Sequence, residues 1–178
     1  MKVLLHICCG VCVAGSAEQL VSEGHQLTGY YFNPNIHPVE EYAKRLQAAQ
    51  TVTRIMKFEI IVPPYIPEKW LESTANLSKE PEGGKRCEVC FKIRLQSTYD
   101  YMRVNDLDVF TTTLTIGPQK STETINRIGR EIGGERFLVK DFKKHNGYQR
   151  AVQLAKQYQI YRQNYCGCIY SLRKTKTM

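Results

Sequence analysis

Residues 3–12, VLLHICCGVC, set a short apolar run against three cysteines packed into five positions. Val3 to Ile7, apolar but for His6, has the length and character of a strand buried on both faces, as strands of a parallel sheet are. Beyond the cysteine–glycine turn, an amphipathic segment over 13–23 carries apolar Ala17, Leu20 and Val21, and Gly24 stops it. Strand, tight turn and helix in that order are the first half of a βαβ unit.

The rest of the chain repeats the alternation. A second strand is predicted over 27–32, ended by the turn-forming NPN at 33–35. A helix over 39–56 follows, with Tyr42, Leu46, Ala49 and Val52 at helical spacing. A third strand over 58–62 stops at Pro63 and Pro64, and Pro67 suits the first turn of a helix through Trp70. SKEPEGGKR (78–86) has the Gly/Pro-rich composition of a mobile, lid-like loop. It precedes a helix over 87–104, a β-branched strand over 108–113 and the turn TIGPQK (115–120). A helix over 121–132, a short strand over 137–139 and a last helix over 148–157 complete the pattern. It predicts one α/β domain spanning 1–178, a parallel, doubly wound, Rossmann-like sheet of about five strands with flanking helices. In the common order 3-2-1-4-5, the turns after strands 1 and 4 face one crevice, where such sheets bind ligands.

Composition narrows the class. The chain has 178 residues, 42% of them hydrophobic, and no stretch of the roughly 18–20 apolar residues that a membrane span needs. The first residues turn to cysteine too soon for a signal peptide, so a cytoplasmic protein without membrane contact is expected. Seven cysteines then point to metal or redox chemistry, because the cytosol keeps thiols reduced. A net charge of +8 suits a polyanionic partner such as RNA, although a solvated basic surface accounts for the charge equally well.

The cysteines fall into three groups: Cys8, Cys9 and Cys12; Cys87 and Cys90; Cys166 and Cys168. A thiolate on a strand-to-helix turn is stabilised by amides and the helix dipole, which favours nucleophilicity or metal ligation. The CxxC spacing of Cys87 and Cys90 fits zinc, an iron–sulfur cluster or a redox dithiol. Seven thiols exceed the four that one tetrahedral zinc or one 4Fe-4S cluster takes, so convergence of all seven implies a second metal or a reactive thiol. The radical-SAM spacing CxxxCxxC does not occur.

Six motifs in order, HICCGVC (6–12), YFNPNIHPVEEYAKR (31–45), RCEVCFKIRL (86–95), TTLTIGPQK (112–120), DFKKHNGY (141–148) and YRQNYCGCIYS (161–171), resemble the epoxyqueuosine reductase QueH family. Gly10-Val11 stands where that family usually has Ala-Pro, and Gly117 where serine is common. The resemblance implies a cobalamin-independent oxidoreductase that reduces epoxyqueuosine to queuosine at the tRNA wobble base. It also implies a 4Fe-4S cluster with an additional mononuclear iron, on a sheet similar to adenine-nucleotide α-hydrolase-like folds. The partners are then tRNA carrying epoxyqueuosine and an electron donor such as a ferredoxin or flavodoxin.

All seven cysteines are candidate ligands: Cys87 and Cys90 for the cluster, with sulfurs from the first and last groups, and the remaining thiols for the single iron. Turning an epoxide into an alkene takes two electrons and two protons, so an acid must meet the departing oxygen; the candidates are Asp141, His37 and His6, with Tyr148 behind them. Asp141 suits a turn cap as well, and His6 a satisfied strand histidine. Tyr42, Arg45, Arg94 and Arg162 are candidates to stack on a base or clamp phosphates, and Lys120 and Lys143 to meet phosphate. Tyr42 fits the core equally, and the lysines fit solvent. Two rivals are a cluster-dependent tRNA sulfurtransferase, which needs a Ser/Gly-rich pyrophosphate loop where this chain has cysteines, and a zinc-stabilised RNA-binding module.

Overall fold

Strand β1 (Lys2–His6) pairs in parallel with β2 (Gln26–Tyr30) on one side and with β4 (Val109–Thr112) on the other, and β3 (Ile60–Ile61) adds to β2. The computed structural model describes residues 1–172, and its sheet runs in the order β3-β2-β1-β4. Val3, Leu4, Leu5 and Ile7 are fully buried, as is His6 among them, which accounts for the run's apolar character on both faces.

The fifth strand expected at 137–139 reduces to a single parallel bridge between Phe110 and Phe137, beside β4 as the order 3-2-1-4-5 requires. A 3₁₀ turn over Gly134–Arg136 leaves it too little chain for a ladder. Phe137 is held by packing instead, edge-on to Phe110 at 5.1 Å between ring centroids. β3 is likewise cut to two residues, because Pro63 and Pro64 offer no amide hydrogen to extend the pairing.

The helices are α1 (Gly10–Ser22), α2 (Val39–Ile55), α3 (Glu68–Thr74), α4 (Lys85–Val104), α5 (Thr122–Gly133) and α6 (Gly147–Gln157). Right-handed crossovers from β1 to β2 and β2 to β3 place α1 and α2 on one face, and the reversal from β3 to β4 sends α4 to the other. Packing agrees: α1 lies against α2 and α6, and α4 against α3 and α5. The reversal makes the space beyond β1 and β4 the switch point of the sheet.

Two helices begin earlier than the sequence predicts, each for a local reason. The Cys9 sulfur accepts the Cys12 amide at 3.3 Å and so acts as the N-cap of α1, starting that helix at Gly10. The Glu80 carboxylate accepts the Lys85 amide at 3.1 Å, and α4 starts there. The 78–86 loop, expected as a lid, is braced from within: the buried Arg86 guanidinium donates to the carbonyls of Leu77, Ser78 and Glu80.

Candidate metal centre

Where β1 ends, the chain turns into α1 and presents Cys8, Cys9 and Cys12 with their sulfurs all within 4.8 Å of one another. β4 ends beside it in the threonine run 111–113. Cys8 donates its amide to Thr113 Oγ1 at 3.1 Å, and that hydroxyl donates to Cys8 Sγ at 3.2 Å. His6, completely buried one strand position below, bonds Thr112 Oγ1 at 2.8 Å and the Phe32 carbonyl at 3.3 Å. Burial, and then the charge of Arg94, push its pKa down to about 3, so His6 is a neutral brace between strands and not an acid facing substrate.

The trio has an uneven proton affinity. Hydrogen bonds from Cys12 and Cys9 hold the Cys8 thiol well below its ordinary range. Burial pushes Cys9 up to about 12, and bonding to Cys8 and Cys9 raises Cys12. Three thiolates here need a cation among them.

A second set of thiols gathers around the single tryptophan. Cys90 on α4 and Cys168 pack with Trp70, and Cys166 lies against them. Burial raises Cys90 and Cys168. The Cys87 sulfur, one helical turn before Cys90 on α4, accepts the Gly83 amide at 3.2 Å. Among the described residues, only the first trio brings three ligand atoms within 4.8 Å.

Between the two turns opens a crevice of about 550 Å³, lined by Cys8, Cys12, Cys166, Arg94, Lys120 and Tyr148 among others. Lys120 reaches Cys166 Sγ at 3.4 Å. Its burial disfavours the charged amine, but the sulfurs of Cys166, Cys8 and Cys90 outweigh that and raise its pKa. Arg94, also buried, donates to Asn33 Oδ1 at 2.6 Å and approaches Cys90 Sγ at 4.0 Å. Both cations thus face sulfur, where the sequence suggested phosphate or base. Arg162 does sit at the mouth, donating to the Tyr148 hydroxyl at 3.1 Å.

Other candidates lie off the crevice. Tyr42 is a core residue, its ring 4.2 Å from that of Tyr65 and 5.3 Å from that of Tyr31. Arg45 reaches the lining, but its donors are taken by Glu41 and two backbone carbonyls. His37 turns its ring toward Trp70, and its Nδ1 meets the Asn35 carbonyl at 2.9 Å. Asp141 caps its own turn, accepting the Lys143 amide at 3.2 Å, and Lys143 donates to the Lys120 carbonyl behind the rim. Thr113 and Trp70 are site residues that pattern reading missed. The β-branched run at the end of β4 and the lone tryptophan were the available signals.

A family model described as epoxyqueuosine reductase QueH matches residues 3–174. The chain belongs to the epoxyqueuosine reductase QueH family. It is 36% identical to the QueH of Streptococcus pyogenes serotype M1, over 97% of this chain and 71% of that one. It is 35% identical to the QueH of Thermotoga maritima, over 96% and 90%. The fold is similar to the crystal structure of a predicted subunit of tRNA methyltransferase from Methanocaldococcus jannaschii. That match has a TM-score of 0.58 at 18% identity and covers 88% of this chain and 74% of that one. Both are α/β folds, here with a parallel four-stranded sheet flanked by helices. No helix among the described residues is long and apolar enough to cross a membrane.

Proposed function

We propose that the crevice beyond β1 and β4 is where this oxidoreductase of tRNA modification reduces epoxyqueuosine to queuosine, with its thiols holding iron. The observation that carries the reading is the Cys8–Cys9–Cys12 trio at the switch point of the sheet, in a chain of the QueH family. The donor set fits: it is all sulfur, and it accommodates three negative charges only around a cation. We assign a 4Fe-4S cluster and an additional iron to the seven cysteines, the first trio holding one group and Cys87, Cys90, Cys166 and Cys168 contributing to the other. When bound, such a pair supplies electrons singly and a Lewis acid for the epoxide oxygen.

The chain's own residues supply the rest. Reduction breaks the two epoxide C–O bonds, forms the C=C bond and releases the oxygen as water, consuming two electrons and two protons. Tyr148 faces the crevice and its hydroxyl accepts from Arg162, so its own proton is free to go to the departing oxygen, with the guanidinium beside it to stabilise the phenolate. Lys120 and Arg94 offset negative charge on the sulfurs. Arg162, with Lys143 behind the rim, offers positive charge to the anticodon phosphates. A one-electron carrier such as a ferredoxin or flavodoxin supplies the electrons, in the cytoplasm, to a single α/β domain.

The test is anaerobic incubation of iron-loaded chain with a reductant and tRNA bearing epoxyqueuosine, followed by nucleoside mass spectrometry. The expected product has lost the mass of one oxygen. An unchanged nucleoside, or a colourless chain carrying stoichiometric zinc and no iron, would overturn the reading.

A further inference from the structure

Residues 159–168 bring Cys166 and Cys168 to the centre without belonging to any helix or strand. No backbone ladder fixes them, so side chains must supply most of the restraint. Arg45 on α2 is 2% exposed, and its guanidinium fork closes on two successive carbonyls of this tail, donating from Nη2 to Tyr165 at 3.0 Å and from Nη1 to Cys166 at 2.9 Å. One turn earlier on the same helix, Glu41, 7% exposed, accepts Arg45 Nε at 2.6 Å and the Tyr161 hydroxyl at 2.7 Å. The Tyr165 ring lies under the guanidinium at 5.0 Å. The Tyr165 hydroxyl donates to the His37 carbonyl, and the His37 amide donates to the Gly167 carbonyl at 2.8 Å.

Gly167 completes the fit. Its φ of +105 lies where side chains are strained, and a Cβ there would come within 2.9 Å of Arg45 Nη1. The tail backbone is thus shaped around the guanidinium. A planar fork holds two carbonyls at once, which a lysine ammonium on a flexible stem does not. On the far side of the same tail, Arg86 stacks over Tyr170 at 4.9 Å.

From this we infer that Arg45, oriented by Glu41, is a positioning residue that holds the Cys166–Gly167–Cys168 hairpin so that both thiols face the centre. Its bearing on iron rests on the functional reading above; the clamp itself does not.

The experiment labels thiols in the full chain, purified anaerobically with whatever iron it carries, and reads each cysteine by mass spectrometry. Arg45→Met is expected to label Cys166 and Cys168 about tenfold faster than the parent, with Cys87 within about twofold; the melting temperature falls, because Glu41 is left buried without its cation, so labelling is compared well below each variant's own melting temperature. Arg45→Lys, which keeps the charge and loses the fork, is expected to behave like Arg45→Met. Glu41→Gln keeps the guanidinium and provides the test if the arginine variants fail to fold; its tail thiols are expected to label faster as well. Unchanged labelling of the tail in the folded variants overturns the proposal. So does an equal rise at every cysteine, which marks general loosening, or full rescue by lysine, which marks charge alone. Iron is measured in the same samples. Selective tail labelling in an iron-free parent series upholds the clamp while sinking the metal reading.

Discussion

Cys8 and Thr113 exchange two hydrogen bonds: the Cys8 amide donates to the threonine hydroxyl at 3.1 Å, and the hydroxyl donates to the Cys8 sulfur at 3.2 Å. One side chain at the end of β4 therefore orients the backbone and the thiol of the turn that follows β1. Thr113→Val keeps the shape and leaves a buried amide without a partner. A loss of about 1–3 kcal/mol is expected in anaerobic urea unfolding, with reduced iron content. Thr113→Ser, which keeps the hydroxyl, should recover most of the loss. If valine is as stable as threonine here, the paired bonds do not hold the turn.

Two glycines that stand where the resemblance leads one to expect alanine and serine should behave oppositely. A Cβ on Gly10 would come within 2.7 Å of Ile160 Cγ2 and 2.8 Å of Ala48 Cβ, so Gly10→Ala is expected to cost about 1–3 kcal/mol. At Gly117 the nearest atoms stand 3.5 Å away and φ is −67, so Gly117→Ser should stay within about 0.5 kcal/mol of the parent. Thermal unfolding of the two variants side by side decides it. The reverse ranking would contradict the packing described for α1.

Burial, and the bond to Glu41, push Tyr161 up to about 12 from its ordinary 10.0. A phenol whose folded pKa is raised stabilises fully below pH 10, and that contribution disappears as the pH climbs through 12. Tyr161→Phe removes this titration. The difference in melting temperature between parent and variant should therefore shrink between pH 10 and 12, and curves that stay parallel across that window would contradict it.

Tyr148→Phe removes the proposed proton source without touching a thiol. Iron content should match the parent, while single-turnover deoxygenation slows by about 100-fold or more. Normal turnover in that variant would exclude Tyr148. Asp141→Asn is the companion measurement: it keeps the acceptor that caps the 141–143 turn and removes the acid, and turnover is expected to persist.

Local pattern carried the sheet. VLLHICCGVC reads as a buried strand meeting a reactive turn, and the alternation of strands and helices correctly implied parallel pairing; that β1 lies beside β4 came from the commonest strand order of such sheets, which the structure follows. The short fifth strand was overestimated because Phe137 has strand character that packing against Phe110 satisfies without a ladder. The starts of α1 and α4 were misplaced because their caps are a cysteine sulfur and a glutamate five residues upstream, neither of which periodicity registers.

The sequence by itself determined the chemistry available to this protein: seven thiols in three compact groups, basic residues among them, and a first group on the turn that follows the first strand. Tertiary structure alone decided which partners each side chain meets. Arg45, Arg94 and Lys120 read equally well as RNA contacts, since a cation's spacing along the chain does not reveal what faces it. In the fold the buried Arg45 and Arg94 and the half-buried Lys120 turn to the Glu41 carboxylate, amide carbonyls and sulfur, because a charge taken from water must find its compensation in whatever the packing brings within reach.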